Sequence, residues 1–159
     1  MFAMATTSLI ALTGCATGAA GSQKFQPDHV AAAPADRALV YVYRQNAQPT
    51  MWSATVSADG HDIAALAQGT YTQIAVAEGT RHFIAHWASL SGQKDSSIDL
   101  DVKPGQTYFI ELTGQSLMTG VSTNTMGVVM HTKVGSGMVQ HGSEAKDVMA
   151  TCCSLVPAN

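Results

Sequence analysis

The chain is poor in charge. Among 159 residues there are 8 Lys and Arg against 11 Asp and Glu, a net charge of −3. No basic stripe is available to track nucleic-acid phosphates, so nucleic acid is excluded as a partner. No apolar run reaches the ~18 residues that a membrane-spanning helix requires. No ten-residue helical period appears before residue 140, which leaves strands as the main element. Cysteine is scarce at three residues, Cys15, Cys152 and Cys153. What is plentiful is apolar side chain, 46% of the chain, enough to bury the core of one domain with a tail.

The N-terminus carries the most specific signal. Residues 1–14 are apolar or small throughout, the pattern of the hydrophobic and cleavage regions of a secretory signal peptide. They lack the Lys or Arg that usually opens such a signal, which leaves a weak signal or a start codon upstream of Met1, the second being the favoured reading. Leu12-Thr13-Gly14-Cys15 resembles the lipobox of bacterial lipoproteins. That resemblance implies cleavage before Cys15, acyl chains on its thiol and new amino group, and anchoring to a membrane. Several chains hold a protein stably where one does so only marginally. Ala16 in place of Asp after the cysteine implies sorting to the outer membrane, facing the periplasm. Residues 15–36, rich in Ala, Gly and Ser with Pro27 and Pro34, read as the lipidated cysteine and a flexible tether.

From Arg37 the pattern becomes short apolar runs divided by turn signals. Ala38–Arg44 is apolar on both faces and rich in β-branched and aromatic residues, as expected of a central strand. Asp59-Gly60, between "SATVSA" and "HDIAAL", is a strong hairpin signal. "TYTQIAV", "TRHFIAHWAS", "SIDLDV" and "TYFIEL" follow, separated by Glu78-Gly79, a polar loop and Lys103-Pro104-Gly105-Gln106. Turns at about ten-residue intervals across seven strands predict an all-β fold, a single antiparallel β-sandwich over residues 37–114. Residues 115–159 read as a C-terminal extension. "NTMGVVMHTKV" adds one possible strand, "VGSGMVQHG" reads as a mobile loop, and "SEAKDVMATCCSL" as a short C-terminal helix with Ser143 as N-cap.

The succession "LVYVYR", "DG", "GTY", "EGTRHF" and "KPGQTYFIEL" resembles DUF2846, a family of bacterial lipoproteins without an assigned activity, over about residues 36–113. The resemblance implies an immunoglobulin-like or transthyretin-like sandwich and carries over no active-site residues. The chain departs from the family pattern at Glu78-Gly79, where Pro-Gly is more usual.

Candidate chemistry is thin. His82 and His86 lie four residues apart in "RHFIAH". On a strand that spacing is roughly 13 Å, too far to share a metal ion bound at about 2 Å. They read as an exposed face opposite inward Phe83, Ala85 and Trp87. His131 and His141 sit in the glycine-rich tail. Gly114–Met118 begins like a hydrolase nucleophile elbow but has Met118 where glycine is required. Gly135–Gln140 begins like a dinucleotide loop without the surrounding strand-helix-strand unit. Asp99 and Asp101 read as the solvated side of a strand. Cys152 and Cys153 are adjacent, and a trans peptide holds neighbouring Cα atoms about 3.8 Å apart, below the usual range for a disulfide. They read as buried small side chains or an intermolecular bridge before they read as a redox pair.

These observations predict a non-catalytic binding or scaffolding protein of the cell envelope, attached to the membrane through Cys15, with no cofactor and no metal. An envelope protein or peptidoglycan would be its partner. Two alternatives stand beside it. One is a periplasmic hydrolase or metal-dependent enzyme whose site assembles from His82, His86, His131 and His141. The other is a redox sensor using Cys152 and Cys153.

Overall fold

A computed structural model describes residues 23–124 and 127–159. The signal segment 1–14, Cys15 and the start of the expected tether lie outside the described residues. The elements run β1 (Ala38–Arg44), β2 (Ala54–Ala58), β3 (His61–Leu66), β4 (Thr70–Val76), β5 (Gly79–Trp87), β6 (Ser96–Val102), β7 (Thr107–Asn124), β8 (Gly127–His141), α1 (Ala145–Cys152) and β9 (Ser154–Leu155). They form two sheets, ordered β8-β7-β1-β4-β9 and β3-β2-β5-β6. This is the all-β sandwich the turn spacing predicts, with one short helix.

The strand patterns explain the layers. β1 is buried at every position and lies in the middle of its sheet, as its two apolar faces require. Its Val40 and Val42 face Val56, Phe83, Ala85, Trp87, Leu100 and other residues of the opposing sheet in the main core. Its Leu39, Tyr41 and Tyr43 face a second core with Phe25, Tyr71, Phe109, Met149 and Cys153. The β2–β3 turn is built on Asp59 and Gly60, both at positive φ (49° and 82°), the geometry that matches strand twist in a two-residue hairpin.

Four features differ from the sequence reading. First, the first sheet is mixed: β1 pairs parallel with β7, and β4 parallel with β9. Between β1 and β7 the chain crosses to the second sheet twice, as β2–β3 and as β5–β6, with β4 between them in the first sheet, and β7 then lies beside β1 in the same direction. Second, "VGSGMVQHG" is not a loop. It belongs to β8, paired with β7 from Phe109↔His141 to Asn124↔Gly127, with one bulge at Met118/Gly120. Glycines make it look loop-like, yet Gly137 sits in a close-packed ladder, where a Cβ would lie 3.0 Å from the Thr113 hydroxyl of β7, and Gly114 of β7 lies against the Gln48 backbone of the 45–53 loop. Third, α1 starts at Ala145 with Glu144 as its N-cap residue, in place of Ser143. The Glu144 side chain turns back to accept the Gly142 N–H at 2.8 Å.

The fourth concerns the expected tether. From Lys24 onward it is packed on the domain. Lys24 bridges Ser154 of β9, and the Phe25 N–H donates to the Cys153 carbonyl at 2.8 Å. Phe25 is buried and meets Tyr41 and Tyr71 edge-on, with ring centroids 5.9 and 5.3 Å apart. Val30 and Ala33 pack against the same cluster. The segment lacks periodicity because it is a strap lying across a sheet, held by one aromatic anchor.

Candidate functional site

The two loops at one end of the sandwich are organised by an arginine that composition alone makes unremarkable. Arg44 closes β1 and is fully buried. Its guanidinium donates to the carbonyls of Trp52 (2.6 Å), Leu66 (2.9 Å), Ala47 (2.9 Å) and Pro49 (2.6 Å). It also lies over the Trp87 ring, 4.7 Å from its centre, a cation–π contact. Burial lowers its pKa, but arginine stays charged in any such environment. The 45–53 loop thus folds around a cation. Gln93 ties the 88–95 loop to it, donating to the Gln48 and Gln115 carbonyls at 3.0 and 3.3 Å. The Ser136 hydroxyl donates to the Lys94 carbonyl.

The second sheet presents a polar outer face. His82 Nδ1 pairs with Asp99 Oδ1, and His86 Nδ1 with Asp95 Oδ2 at 2.8 Å. Arg81 Nη1 meets Asp59 Oδ2 at 3.0 Å. Asp95 titrates below its ordinary range because His86, and then the Trp87 N–H, donate to it. Asp59 is lowered by the His82 N–H and then by Arg81. Phe83, Ala85 and Trp87 point inward and are buried. The alternation expected for "RHFIAHW" is therefore present, and the two histidines face solvent on separate carboxylates.

A third group lies at the base of β8. His141 Nε2 is 2.9 Å from Glu111 Oε2, and Nδ1 is 3.9 Å from Glu144 Oε1. Tyr43, buried beneath, has its ring centre 6.3 Å from that of His141. Burial, and then the charges of Glu111 and Glu144, push its phenol far up. The spacing of "GMVQHGSE" gives no hint of this cluster, because Glu111 comes from the facing strand.

The four candidate histidines are not brought together. His82 and His86 occupy the second sheet, while His131 and His141 lie on β8 of the first, ten residues and roughly 34 Å of strand apart. Among the described residues no group of three or more His, Cys, Asp or Glu could hold a metal ion. Gly114–Met118, the elbow-like stretch, is continuous strand. Cys152 and Cys153 are joined to each other by a disulfide, their Cα atoms 3.7 Å apart. This overturns the reading of two separate side chains or an intermolecular bridge. The pair links the end of α1 to the start of β9, with Cys153 buried in the second core.

A family model described as a protein of unknown function, DUF2846, matches residues 34–127. No curated protein and no solved structure matches the chain. The matched segment runs from the end of the strap through β1 to the first residue of β8, more than half of the chain, and the chain belongs to the DUF2846 family.

Proposed function

We propose that this protein is a lipid-anchored, non-catalytic binding or scaffolding module of the cell envelope, held to the outer membrane from its periplasmic side by acyl chains on Cys15. The observation that carries the non-catalytic part is the pairing of the polar candidates. His82 and His86 of β5 are exposed and each is matched to its own aspartate, Asp99 and Asp95, so the two do not converge. Catalytic groups instead converge on a concave site with unlike environments. The anchor rests on Leu12–Cys15 at the end of an apolar run. An envelope protein or peptidoglycan would be the partner of such a module.

The test is mass spectrometry of the N-terminal peptide from host membranes, beside a Cys15→Ser variant. An acylated Cys15, with membrane association lost on substitution, is the expected result. An unmodified, freely soluble wild-type chain would remove the reading. A second reading, thiol redox sensing, is favoured by the Cys152–Cys153 disulfide. Differential alkylation in cells treated with oxidant and reductant tests it. A pair that stays oxidised throughout would count against it.

A further inference from the structure

The two ends of the sandwich differ in kind. One end carries the short turns at Asp59-Gly60, Ala77-Glu78 and Lys103–Gln106, all of them polar or small. The other carries the 45–53 and 88–95 loops, which follow β1 and β5. Between these loops the β7–β8 hairpin leaves the sheet. Tyr43 is level with Glu111, so residues 113–124 of β7 continue past the end of β1, a projection of roughly 40 Å.

Large exposed apolar side chains gather at this second end. Met51 is 90% exposed, Leu90 84% and Trp52 36%, and Val121 on the projecting hairpin is 57% exposed. Of the large hydrophobic side chains exposed among the described residues, only Val139 lies elsewhere, on β8 beside Glu111. Residues 112–132 contain no Asp, Glu, Lys or Arg. The charges bordering the end include Lys94 on the 88–95 loop, Lys24 where the strap joins the sheet, and Asp95, which His86 already holds. Single exposed hydrophobics are ordinary, but several on adjacent loops of one end mark a contact surface. Tryptophan beside aliphatic tips and lysines is the composition that suits a membrane interface.

We propose that this end of the sandwich docks on an anionic lipid bilayer. Met51, Trp52 and Leu90 enter the interface, Lys94 meets the head groups, and β7 and β8 extend toward the same layer. The placement of the strap favours lipid over another occupant. Lys24 pairs with Ser154, Ser154 with Thr70, and Thr70 with Arg44. The chain arriving from Cys15 therefore joins the fold at this same end. Eight residues separate Cys15 from Lys24, a reach of at most about 30 Å. The inference takes the presence of a bilayer from the lipid-anchored reading, while the contact itself needs no acyl chain.

The test uses a chain starting at Ala16, which lacks the acylation site. Every residue of both cores lies between Phe25 and Val156, so this chain keeps the whole fold. It is mixed with phosphatidylcholine vesicles, with and without phosphatidylglycerol, and binding is read by flotation and tryptophan emission. Trp87 is buried and Trp52 is half-exposed, so a blue shift reports Trp52. The expected result is binding to the anionic vesicles, weakened by about tenfold or more in Met51→Asp and in Leu90→Asp, with unchanged circular dichroism. No binding, equal binding to neutral vesicles, or unaltered binding by both variants overturns the proposal. A concentration-dependent dimer that shields Trp52 without lipid also overturns it and assigns the surface to a second copy. Acylation of Cys15 is measured separately, so failure here and failure of the anchor are distinguishable.

Discussion

Replacing Arg44 with methionine should cost the domain about 3 kcal/mol. Methionine keeps the length and the apolar stem but removes every donor. Four carbonyls then lose their partner. Those of Ala47 and Leu66 are buried, while those of Pro49 and Trp52 are partly accessible and can rehydrate. Each stranded buried acceptor costs about 1–3 kcal/mol, giving about 2–6 for the two. Loss of the contact over Trp87 adds about 1 kcal/mol. Against this, none of the hydrogen bonds to the wild-type guanidinium comes from a carboxylate, and removing a buried charge returns part of its desolvation cost. The balance is destabilising because the carbonyls remain after the charge has gone. Urea unfolding of wild type, Arg44→Met and Arg44→Lys measures it. A loss of about 3 kcal/mol should lower the melting temperature by roughly 10 °C. Lysine should rescue only part, since one ammonium cannot match a planar fork that reaches four acceptors. A loss below about 1 kcal/mol for Arg44→Met would refute the reasoning, by showing that the loop rehydrates freely.

Three further outcomes follow from the geometry. Gly114→Ala places a Cβ 2.2 Å from the Gln48 carbonyl oxygen, whereas Gly135→Ala meets nothing within 4 Å. The first should cost about 1–3 kcal/mol in chemical denaturation and the second close to nothing, and equal effects would refute the crowding. Phe25→Ala should cost about 3–5 kcal/mol and expose the Phe25 amide to hydrogen exchange, whereas a strap lying free would give neither. Asp59 and Asp95 have folded pKa values below their ordinary 3.8. Their stabilisation is complete above the unfolded value and is lost as pH falls through the folded ones, so Asp59→Asn with Asp95→Asn should flatten the fall in melting temperature below about pH 4. An unchanged acid limb in that double variant would show that other groups carry it.

What the sequence made legible was local. β1 to β6 follow from alternation and turn chemistry, and the Asp59-Gly60 hairpin from two residues that tolerate positive φ. The outward histidines and inward Phe83 and Trp87 follow from a period of two. What it hid was set by partners distant in sequence. Glycines in β8 are a loop signal until β7 supplies the ladder that pairs them. Phe25 is one aromatic in a polar run, and only the Tyr41–Tyr71 face makes it an anchor. Arg44 reads as the polar residue that ends a strand, and its burial depends on carbonyls three to twenty-two residues further along the chain. The Glu111–His141 pair joins residues on facing strands that no motif spacing relates.

Three of the long-range contacts share one location. Arg44 gathers the 45–53 loop, Gln93 joins the 88–95 loop to it, and Gly114 lets β7 pass beneath Gln48. Each fixes the end from which Met51, Trp52 and Leu90 project. A buried arginine bound only by carbonyls is a costly way to close a loop that needs nothing but stability, since apolar packing would serve as well. It does suit a loop that must stay ordered while presenting apolar side chains to its surroundings. The Arg44→Met variant therefore bears on function as well as stability. At a temperature where it remains folded, a loosened 45–53 loop should weaken binding to anionic vesicles, although Arg44 itself never reaches the surface. Full binding by that variant would separate the loop's order from its contact with lipid.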